Sequence, residues 1–223
     1  MLTIIATPIG NLKDITFRAV ETLQSIGGII CEDTRVSVKL LNHYNINKPL
    51  VSLNDYNEFK MIPQLIDRLK NGENMALISD AGTPLVSDPG YKLVRVCLKE
   101  GIEVDSLPGP SAITTALTLS GLPPDKFMFL GFPPDKPGHR QQLYTAMIRI
   151  NEVTPTTFIL FVAPFKIAKT LTEMQEVLGD IEVCLARELT KMYQEVKTKR
   201  ISDWLEFYKK QKPKGEYVLI LRI

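Results

Sequence analysis

Residues 78–90 of the chain read Ile78-Ser79-Asp80-Ala81-Gly82-Thr83-Pro84-Leu85-Val86-Ser87-Asp88-Pro89-Gly90. The apolar run Met75–Ile78 leads into this stretch and predicts a buried strand. Ser87 or Asp88 as N-cap, with Pro89 in the first turn, predicts a helix that continues through Leu98. A loop between such a strand and helix lies at the carboxyl end of the strand, where open α/β sheets place their ligands. A simple turn needs far fewer Asp, Gly, Pro and Ser residues, so we expect this loop to hold a ligand.

Strand and helix patterns alternate along the rest of the chain. In the first half, the patterns predict strands at 2–6, 29–31, 50–52, 75–78 and 102–107, with helices at 17–23, 36–44 and 61–69 between them. In the second half, they predict strands at 127–131, 157–162, 182–186, 193–196 and 217–221, and helices at 112–119, 141–150, 167–178 and 201–210. The stretch 193–198 has the pattern of one arm of an antiparallel hairpin, with its turn near Lys199.

This order predicts an α/β protein with two domains. Residues 1–108 form an N-terminal α/β domain in which helices cover a parallel sheet, because strands and helices alternate there with short links. Residues 109–223 form a C-terminal α/β domain with a mixed sheet and helices. The run Pro108-Gly109-Pro110-Ser111 marks the boundary between them.

Composition excludes several classes of protein. The chain has 223 residues, of which 44% are hydrophobic and 23% charged, so it is not a disordered polypeptide. Its three cysteines are far apart, which argues against a zinc site or a disulfide framework and fits a reducing cytoplasm. We expect no metal. No apolar stretch is long enough for a membrane helix, and the first residues lack the pattern of a signal peptide.

The second half of the chain carries a basic segment. Between Ala186 and Lys214 there are nine basic residues and four acidic ones, although the net charge of the whole chain is only +2. Such a segment predicts either a surface that follows a nucleic-acid backbone or an ordinary solvated face.

Four polar or glycine-bearing loops follow predicted strands of the first half. They lie at 7–12, 32–35, 79–90 and 108–111. Because the carboxyl ends of parallel strands share one edge of a sheet, we expect these loops to meet. Such a pocket suits a small molecule with adenine-like edges and a sugar. Neither a GxxxxGK[ST] nor a GxGxxG phosphate motif occurs, and His43 and His139 lack a nucleophile motif beside them.

The segment Glu32-Asp33-Thr34-Arg35 places two acids and an arginine at one strand end. One interpretation is ligand contact or proton transfer. The other is local: Asp33 or Thr34 caps the following helix, and Arg35 pairs with a neighbouring acid.

Seven motifs together give the chain a specific resemblance over nearly its whole length. They are Ala6-Thr7-Pro8-Ile9-Gly10-Asn11-Leu12, Cys31-Glu32-Asp33-Thr34-Arg35, Ser79-Asp80-Ala81-Gly82-Thr83-Pro84, Ser87-Asp88-Pro89-Gly90, Pro108-Gly109-Pro110-Ser111, Ala186-Arg187-Glu188-Leu189-Thr190 and Lys214-Gly215-Glu216. In order and spacing they resemble the type I small-subunit (16S) ribosomal RNA cytidine 2′-O-methyltransferases, a branch of the tetrapyrrole methylase superfamily.

The resemblance implies a two-domain methyltransferase that works as a homodimer and binds S-adenosylmethionine in a cleft between the domains. Carried over by position, the implied cofactor-binding residues are Pro8, Gly10, Ser79, Asp80, Ala81, Gly82, Ser87, Pro108, Gly109, Pro110, Ser111, Ala112, Ala186, Arg187, Gly215 and Glu216.

A 2′-hydroxyl is a poor nucleophile, so a neighbouring acceptor should assist the transfer. Loop position makes Asp33 and Asp80 the candidate catalytic residues, with Glu32 third. The implied partner is ribosomal RNA or the small ribosomal subunit, because the 2′-hydroxyl distinguishes RNA from DNA. The candidate RNA-binding residues are Arg35, Arg187, Lys191, Lys199 and Arg200.

One segment departs from the resemblance. Relatives usually carry a Tyr-Glu-Ser segment followed by a His-Arg pair where this chain reads Phe161-Val162-Ala163-Pro164-Phe165-Lys166-Ile167. If that segment holds cofactor or RNA in relatives, this chain would hold either one differently. Two alternatives stay open: a methylase of tetrapyrroles or other small molecules on the same fold, and a degenerate paralogue that binds RNA without turnover.

Overall fold

Five short parallel strands form the first sheet in the computed structural model, which describes residues 1–223. They are β1 (Leu2–Ile5), β2 (Gly28–Cys31), β3 (Leu50–Ser52), β4 (Met75–Ile78) and β5 (Val104–Leu107), in the order β3-β2-β4-β1-β5. Every neighbouring pair is parallel, as the sequence predicts. Four helices accompany the sheet: α1 (Phe17–Ser25), α2 (Thr34–His43), α3 (Glu58–Lys70) and α4 (Tyr91–Lys99).

The three central strands β1, β2 and β4 are buried on both faces, which explains why they are largely apolar, whereas β3 is half-buried and β5 carries the exposed Asp105 and Ser106. Alternate residues enter two different cores: Ile78 packs with Leu23 of α1, and Leu77 packs with Leu65 of α3 and Leu93 of α4. A parallel sheet covered on two sides requires such continuous apolar runs. The carboxyl ends of the strands therefore carry the polar residues.

The start of α4 differs from the prediction. The helix begins at Tyr91 after the N-cap Gly90, and neither Ser87 nor Asp88 caps it. Leu85, Ser87 and Gly90 all have positive φ angles, of 72°, 67° and 113°, so the backbone is still turning where the sequence suggested a helix. The loop is longer than predicted for that reason.

A second sheet of five strands occupies the rest of the chain. Its strands are β6 (Phe127–Phe129), β7 (Thr157–Val162), β8 (Glu182–Arg187), β9 (Glu195–Arg200) and β10 (Tyr217–Arg222), in the order β6-β7-β10-β8-β9. The pair β6–β7 is parallel and the other pairs are antiparallel, so the predicted mixed sheet is confirmed. The helices are α5 (Ala112–Ser120), α6 (Pro137–Val153), α7 (Ile167–Leu178) and α8 (Ile201–Lys210).

The hairpin forms, but its predicted turn position near Lys199 is wrong. Strand β9 pairs with β8 along its whole length, from Glu195 opposite Arg187 to Arg200 opposite Glu182. The turn therefore lies between the two strands, before Glu195, and Lys199 belongs to the strand itself.

By internal contacts the chain divides into two units, Met1–Ser111 and Ala112–Ile223, whereas the sequence placed the boundary after Pro108. None of the helices combines the length and the hydropathy that crossing a bilayer requires. The His, Cys, Asp and Glu side chains form no group of three that could hold a metal ion.

Candidate functional site

The four predicted loops of the first unit meet at one edge of the sheet, which confirms their expected convergence. Thr7 and Gly82 exchange two backbone hydrogen bonds, of 2.8 and 3.0 Å, and Thr7 Oγ1 donates to the Ser79 carbonyl at 3.1 Å. Thr83 Oγ1 donates to the Pro110 carbonyl at 3.1 Å. The Asp33 backbone N–H donates to Asp80 Oδ1 at 3.2 Å. Loops that span a hundred residues of sequence are thus bonded to one another.

Close packing against β1 requires a glycine at position 109, in the loop that follows β5. A Cβ on Gly109 would lie 2.9 Å from the Cβ of Ala6, which is buried at the end of β1. Because real Cβ atoms do not approach so closely, this position accepts no larger residue without a shift of the loop. The glycine lets the loop 108–111 lie directly against the strand.

Three carboxylates near this edge form no ion pair. Burial raises the pKa of Asp88 to about 6, with a further contribution from Asp80. Burial likewise raises the pKa of Asp80 and of Glu32, and the neighbouring acids add to the shift of Glu32. The single hydroxyl proton of Ser79 has two acceptors within reach, the Gly82 carbonyl at 3.2 Å and the Asp88 carboxylate. The site is therefore rich in acceptors whose negative charge is poorly compensated.

Asp33, by contrast, is fully engaged. Its carboxylate accepts from the Arg35 backbone N–H at 2.9 Å and from the Arg35 guanidinium at 2.6 Å, so that it caps α2 and forms an ion pair at once. These bonds from Arg35 hold the pKa of Asp33 down at about 2. The geometry matches the local interpretation that the sequence left open for this segment, and it makes Asp33 a weak proton acceptor.

Two cavities lie at this edge and share one residue. The first, of about 360 Å³, is lined by Glu32, Asp33, Thr34, Arg35, Ser52, Asn54, Tyr56 and Asp80. The second, of about 220 Å³, is lined by residues 7–10 and 79–81, Leu12 and four residues of α2. Because Asp80 lines both cavities, it is the side chain through which their contents would meet.

The candidate cofactor residues of the second unit lie around the ends of β8 and β10. Arg187 Nε donates to the Lys214 carbonyl at 3.0 Å, and the Glu216 backbone N–H donates to Glu188 Oε1 at 2.9 Å. Gly215 has a φ of 89°, and a Cβ there would lie 2.6 Å from the Glu188 carboxylate. Ala186 is fully buried in the sheet. The structure thus brings Arg187, Gly215 and Glu216 together.

Each of the five candidate RNA-binding residues already has a partner in the chain. Arg35 pairs with Asp33, Arg187 with Glu195, Lys191 with Glu188 and Glu216; Lys199 lies over the Trp204 and Phe207 rings, and Arg200 donates to the Asp180 carbonyl. Lys212 and Lys214 form no ion pair and line a cavity of about 340 Å³ together with Arg187, Lys210 and Tyr208. The RNA-binding assignment stays a prediction, and these two lysines join its candidates.

Sequence reasoning missed one side chain that shapes the loop 79–90. Glu58 is 4% exposed; its Oε1 accepts from the Gly90 backbone N–H at 3.3 Å, and its Oε2 pairs with Lys92 at 2.8 Å. Gly90 is the N-cap of α4, so Glu58 accepts from the N-cap N–H, the role that a glutamate at N3 plays in a capping box. A glutamate in the first turn of α3 was the available signal.

The departing segment 161–167 is packed locally. Phe161 contacts Phe129 and Phe132, with ring centroids 4.8 and 5.6 Å apart, and Lys166 Nζ pairs with Asp135 Oδ1 at 2.7 Å. Aromatic contacts thus occupy the place of the polar groups that relatives usually carry.

Comparison of the chain with known proteins identifies the family to which it belongs. A family model described as "Tetrapyrrole (Corrin/Porphyrin) Methylases" matches residues 1–204. Among solved structures, the fold is similar to that of diphthine synthase, with a TM-score of 0.77 and 17% identity over 99% of this chain and 89% of the other. A second similar structure is the cobalt precorrin-4 methyltransferase, with a TM-score of 0.69 and 16% identity over 98% and 93% of the two chains. At these identities the structures establish the fold alone.

Two curated relatives are far closer in sequence. The ribosomal RNA small subunit methyltransferase I of Thermotoga maritima is 45% identical over 99% of this chain and 97% of its own length. The protein of the same name from Escherichia coli O157:H7 is 44% identical over 99% of this chain and 77% of its own. The chain belongs to the tetrapyrrole methylase family, a family of S-adenosylmethionine-dependent methyltransferases. Within that family, it belongs with the ribosomal RNA small subunit methyltransferase I enzymes.

Proposed function

We propose that this enzyme transfers the methyl group of S-adenosylmethionine to the ribose 2′-hydroxyl of a cytidine in the 16S RNA of the small ribosomal subunit. The observation that carries the proposal is the position of Asp80, a carboxylate without an ion pair that lines both cavities at the edge where the loops meet. The names of the relatives, with their identity over the whole chain, support the class of RNA.

The loop residues fit the cofactor in charge and in shape. When bound, S-adenosylmethionine supplies a methyl group already activated on a positively charged sulfonium. Carboxylates without cationic partners, such as Asp80 and Asp88, suit a positive charge. The loop 108–111 offers exposed backbone at Pro108 and Gly109 for hydrogen bonds to a nucleoside. A cavity of about 220 Å³ is smaller than the ~300–1,000 Å³ of typical ligand sites, so the exposed loops would complete the binding surface.

The residues of the site would then divide the work. Asp80 accepts a hydrogen bond from the target hydroxyl, increases the nucleophilicity of its oxygen and takes up the hydroxyl proton as the methyl group is transferred; such assistance is typically worth ~10²–10⁴-fold. Asp33 holds Arg35 in a fixed orientation and fixes Asp80 through its backbone N–H. Ser79 and Gly82 set the conformation of the loop. Alignment of the reacting atoms and exclusion of water provide the rest.

The remaining assignments belong to the same proposal. The candidate cofactor residues of the second unit that we propose are Ala186, Arg187, Gly215 and Glu216. The enzyme would work in the cytoplasm as a homodimer, on free 16S RNA or on an assembled small subunit.

Mass-spectrometric mapping of ribose methylation in ribosomal RNA, from cells with and without this gene, tests the proposal. We expect one cytidine to lose its 2′-O-methyl group when the gene is absent and to regain it when the gene is restored. Unchanged ribose methylation would refute it. Transfer of label to a tetrapyrrole but not to RNA would favour the small-molecule alternative.

The role of Asp80 is tested by single-turnover transfer, with cofactor affinity measured separately by calorimetry. Asp80→Asn should lower the transfer rate by ~10²-fold or more while cofactor binding persists. Asp33→Asn, the matched variant next to it, should lower the rate less, because Asp33 acts through its contacts with Arg35. Equal rates for Asp80→Asn and the wild type would remove the assignment.

A further inference from the structure

The cavity of about 360 Å³ contains groups that proton acceptance at Asp80 does not use. We propose that it receives the base of the target nucleotide, which stacks on Tyr56, and that Glu32 and Asn54 select a base that carries an exocyclic amino group, such as cytosine. This inference rests on the proposed function, because it requires the target to be a nucleotide in RNA.

Tyr56 offers a stacking surface for the base. Its side chain is 100% exposed although it lines the cavity. Its backbone is nevertheless held, since Asn54 Oδ1 accepts from the Tyr56 N–H at 3.1 Å and from the Asn57 N–H at 3.2 Å. Enzymes that act on one nucleotide take it out of the stack and hold the unstacked base against aromatic rings. An exposed ring on a fixed loop suits that purpose.

Glu32 provides an acceptor that nothing in the chain satisfies. It is half-buried, and its carboxylate forms neither a hydrogen bond nor an ion pair. Its charged neighbours in the cavity wall are Asp33, Asp80 and Arg35, and the one cation among them is already paired with Asp33. A partly buried carboxylate is stabilised when a hydrogen-bond donor contacts it. Carboxylates that recognise cytosine accept a hydrogen bond from its exocyclic amino group.

Asn54 provides a donor in the same wall. Its Nδ2 reaches only Ser52 Oγ, at the long distance of 3.5 Å, while Ser52 Oγ donates its own proton to the Glu32 carbonyl at 3.0 Å. The wall therefore offers one acceptor and one donor. Cytosine presents the complement, an amino donor beside the N3 acceptor. Uracil presents the reverse, a carbonyl beside an N–H, and leaves Glu32 facing an oxygen.

The position of Asp80 connects the base to the reaction. Asp80 lines the same cavity, so a base held by Glu32 and Asn54 would leave its ribose next to the proposed acceptor. The volume, at the lower end of the ~300–1,000 Å³ of ligand sites, suits a single base.

The test is transfer to small subunits that carry cytidine, uridine or adenosine at the mapped position. A good base-reading pair is worth about 1–3 kcal/mol, so the wild type should prefer cytidine to uridine by about 5- to 150-fold in kcat/KM. Glu32→Gln, in which an amide both donates and accepts, should reduce this ratio severalfold. Tyr56→Ala should raise KM for both RNAs and leave their ratio unchanged, and Tyr56→Phe should restore KM. Glu21→Gln, on the exposed face of α1, is the matched control for the loss of a carboxylate.

A binding measurement independent of turnover keeps the test decisive if a variant transfers poorly. Cytidine 5′-monophosphate and uridine 5′-monophosphate, titrated separately and followed by saturation-transfer NMR, should bind the wild type with different affinities, and the difference should be severalfold smaller for Glu32→Gln. An unchanged cytidine-to-uridine ratio in both measurements would overturn the inference while the proposed function stands. Adenine presents the same amino donor beside its N1 acceptor, so adenosine should also be preferred to uridine, and methylation of uridine as fast as adenosine would count against the inference. No transfer to any RNA by the wild type would instead refute the proposed function.

Discussion

Replacement of Gly109 by alanine tests how tightly the loop 108–111 packs against the end of β1. The new Cβ would lie 2.9 Å from the Cβ of Ala6, whereas carbon atoms attract best at ~3.5–4.0 Å. One of the two segments must therefore move by about 0.6 Å to reach an ordinary contact. Ala6 is 3% exposed and continues a central strand, so we expect the loop to move.

The expected cost follows from that displacement. Overpacking of a core costs about 1–3 kcal/mol, and the lower end applies here because Gly109 itself is exposed and its loop can shift. For a chain of this size each kcal/mol lowers Tm by about 2–4 °C, which predicts a decrease of about 2–4 °C in a thermal unfolding scan. If the loop binds S-adenosylmethionine, calorimetry should also show affinity weakened by about 5- to 10-fold.

A second substitution makes the reasoning specific. Ala6→Gly removes the opposing Cβ and leaves Gly109→Ala facing only the Ala6 carbonyl oxygen and Cα, at 3.6 and 3.8 Å. The double variant should therefore be more stable than the sum of the single variants predicts, by about 1 kcal/mol or more. Gly138→Ala is the control, because no heavy atom lies within 4 Å of its Cβ position. A wild-type Tm for Gly109→Ala, or no recovery in the double variant, would refute the argument.

Three further predictions concern separate parts of the molecule. Glu58→Ala leaves the buried Gly90 N–H without its acceptor and should cost about 1–3 kcal/mol in urea unfolding, more than Glu58→Gln costs; equal losses would contradict this. The pKa of Asp88 is raised in the folded state to about 6, so the folded protein binds this proton more tightly than the unfolded chain does, and the contribution of this carboxyl to stability is lost as pH rises from about 4 to 6. Paired carboxylates such as Asp33 and Glu195 contribute in the opposite direction, so the measurement is the stability of the wild type relative to Asp88→Asn, which should fall over this range; a constant difference between the two proteins would be the contrary result. Lys214→Gln should reduce the slope of log affinity for 16S RNA against log salt by about 1. Lys191→Gln should leave this slope unchanged, because Lys191 is already ion-paired. A smaller effect of Lys214→Gln than of Lys191→Gln would exclude Lys214 as a phosphate contact.

Much of the fold could be predicted because the central strands β1, β2 and β4 are buried on both faces. A four-residue apolar run between polar, turn-forming residues, such as Met75–Ile78, is typical of a covered strand, and its range agrees with the structure. The hairpin of β8 and β9 was harder. Strand β9 reads Glu-Val-Lys-Thr-Lys-Arg, an edge strand with little apolar pattern. Its turn contains Glu188 and Thr190 at φ angles of 49° and 63° where glycine or asparagine is usual, so no turn signal marked it.

The location of the site could be predicted from the sequence, but the ion pairs and hydrogen bonds of its side chains could not. Parallel strands put their carboxyl ends at one edge whatever the side chains are, so the meeting of the loops follows from the strand pattern alone. Which acid is free depends on side-chain geometry. Asp33 and Asp80 look alike in the sequence. In the structure, Asp33 pairs with the Arg35 guanidinium at 2.6 Å, whereas Asp80 has no ion pair. Glu58 reaches a distant backbone N–H, a contact that no local pattern contains.

The contact between Gly215 and Glu188 constrains how this protein can change over generations. A methyl group at position 215 would overlap the Glu188 carboxylate, which also accepts from the Glu216 N–H and pairs with Lys191. Neither position is therefore free to drift alone. Descendants that acquired a bulkier residue at 215 should carry a shorter side chain at 188, and the two sites should mutate as a correlated pair.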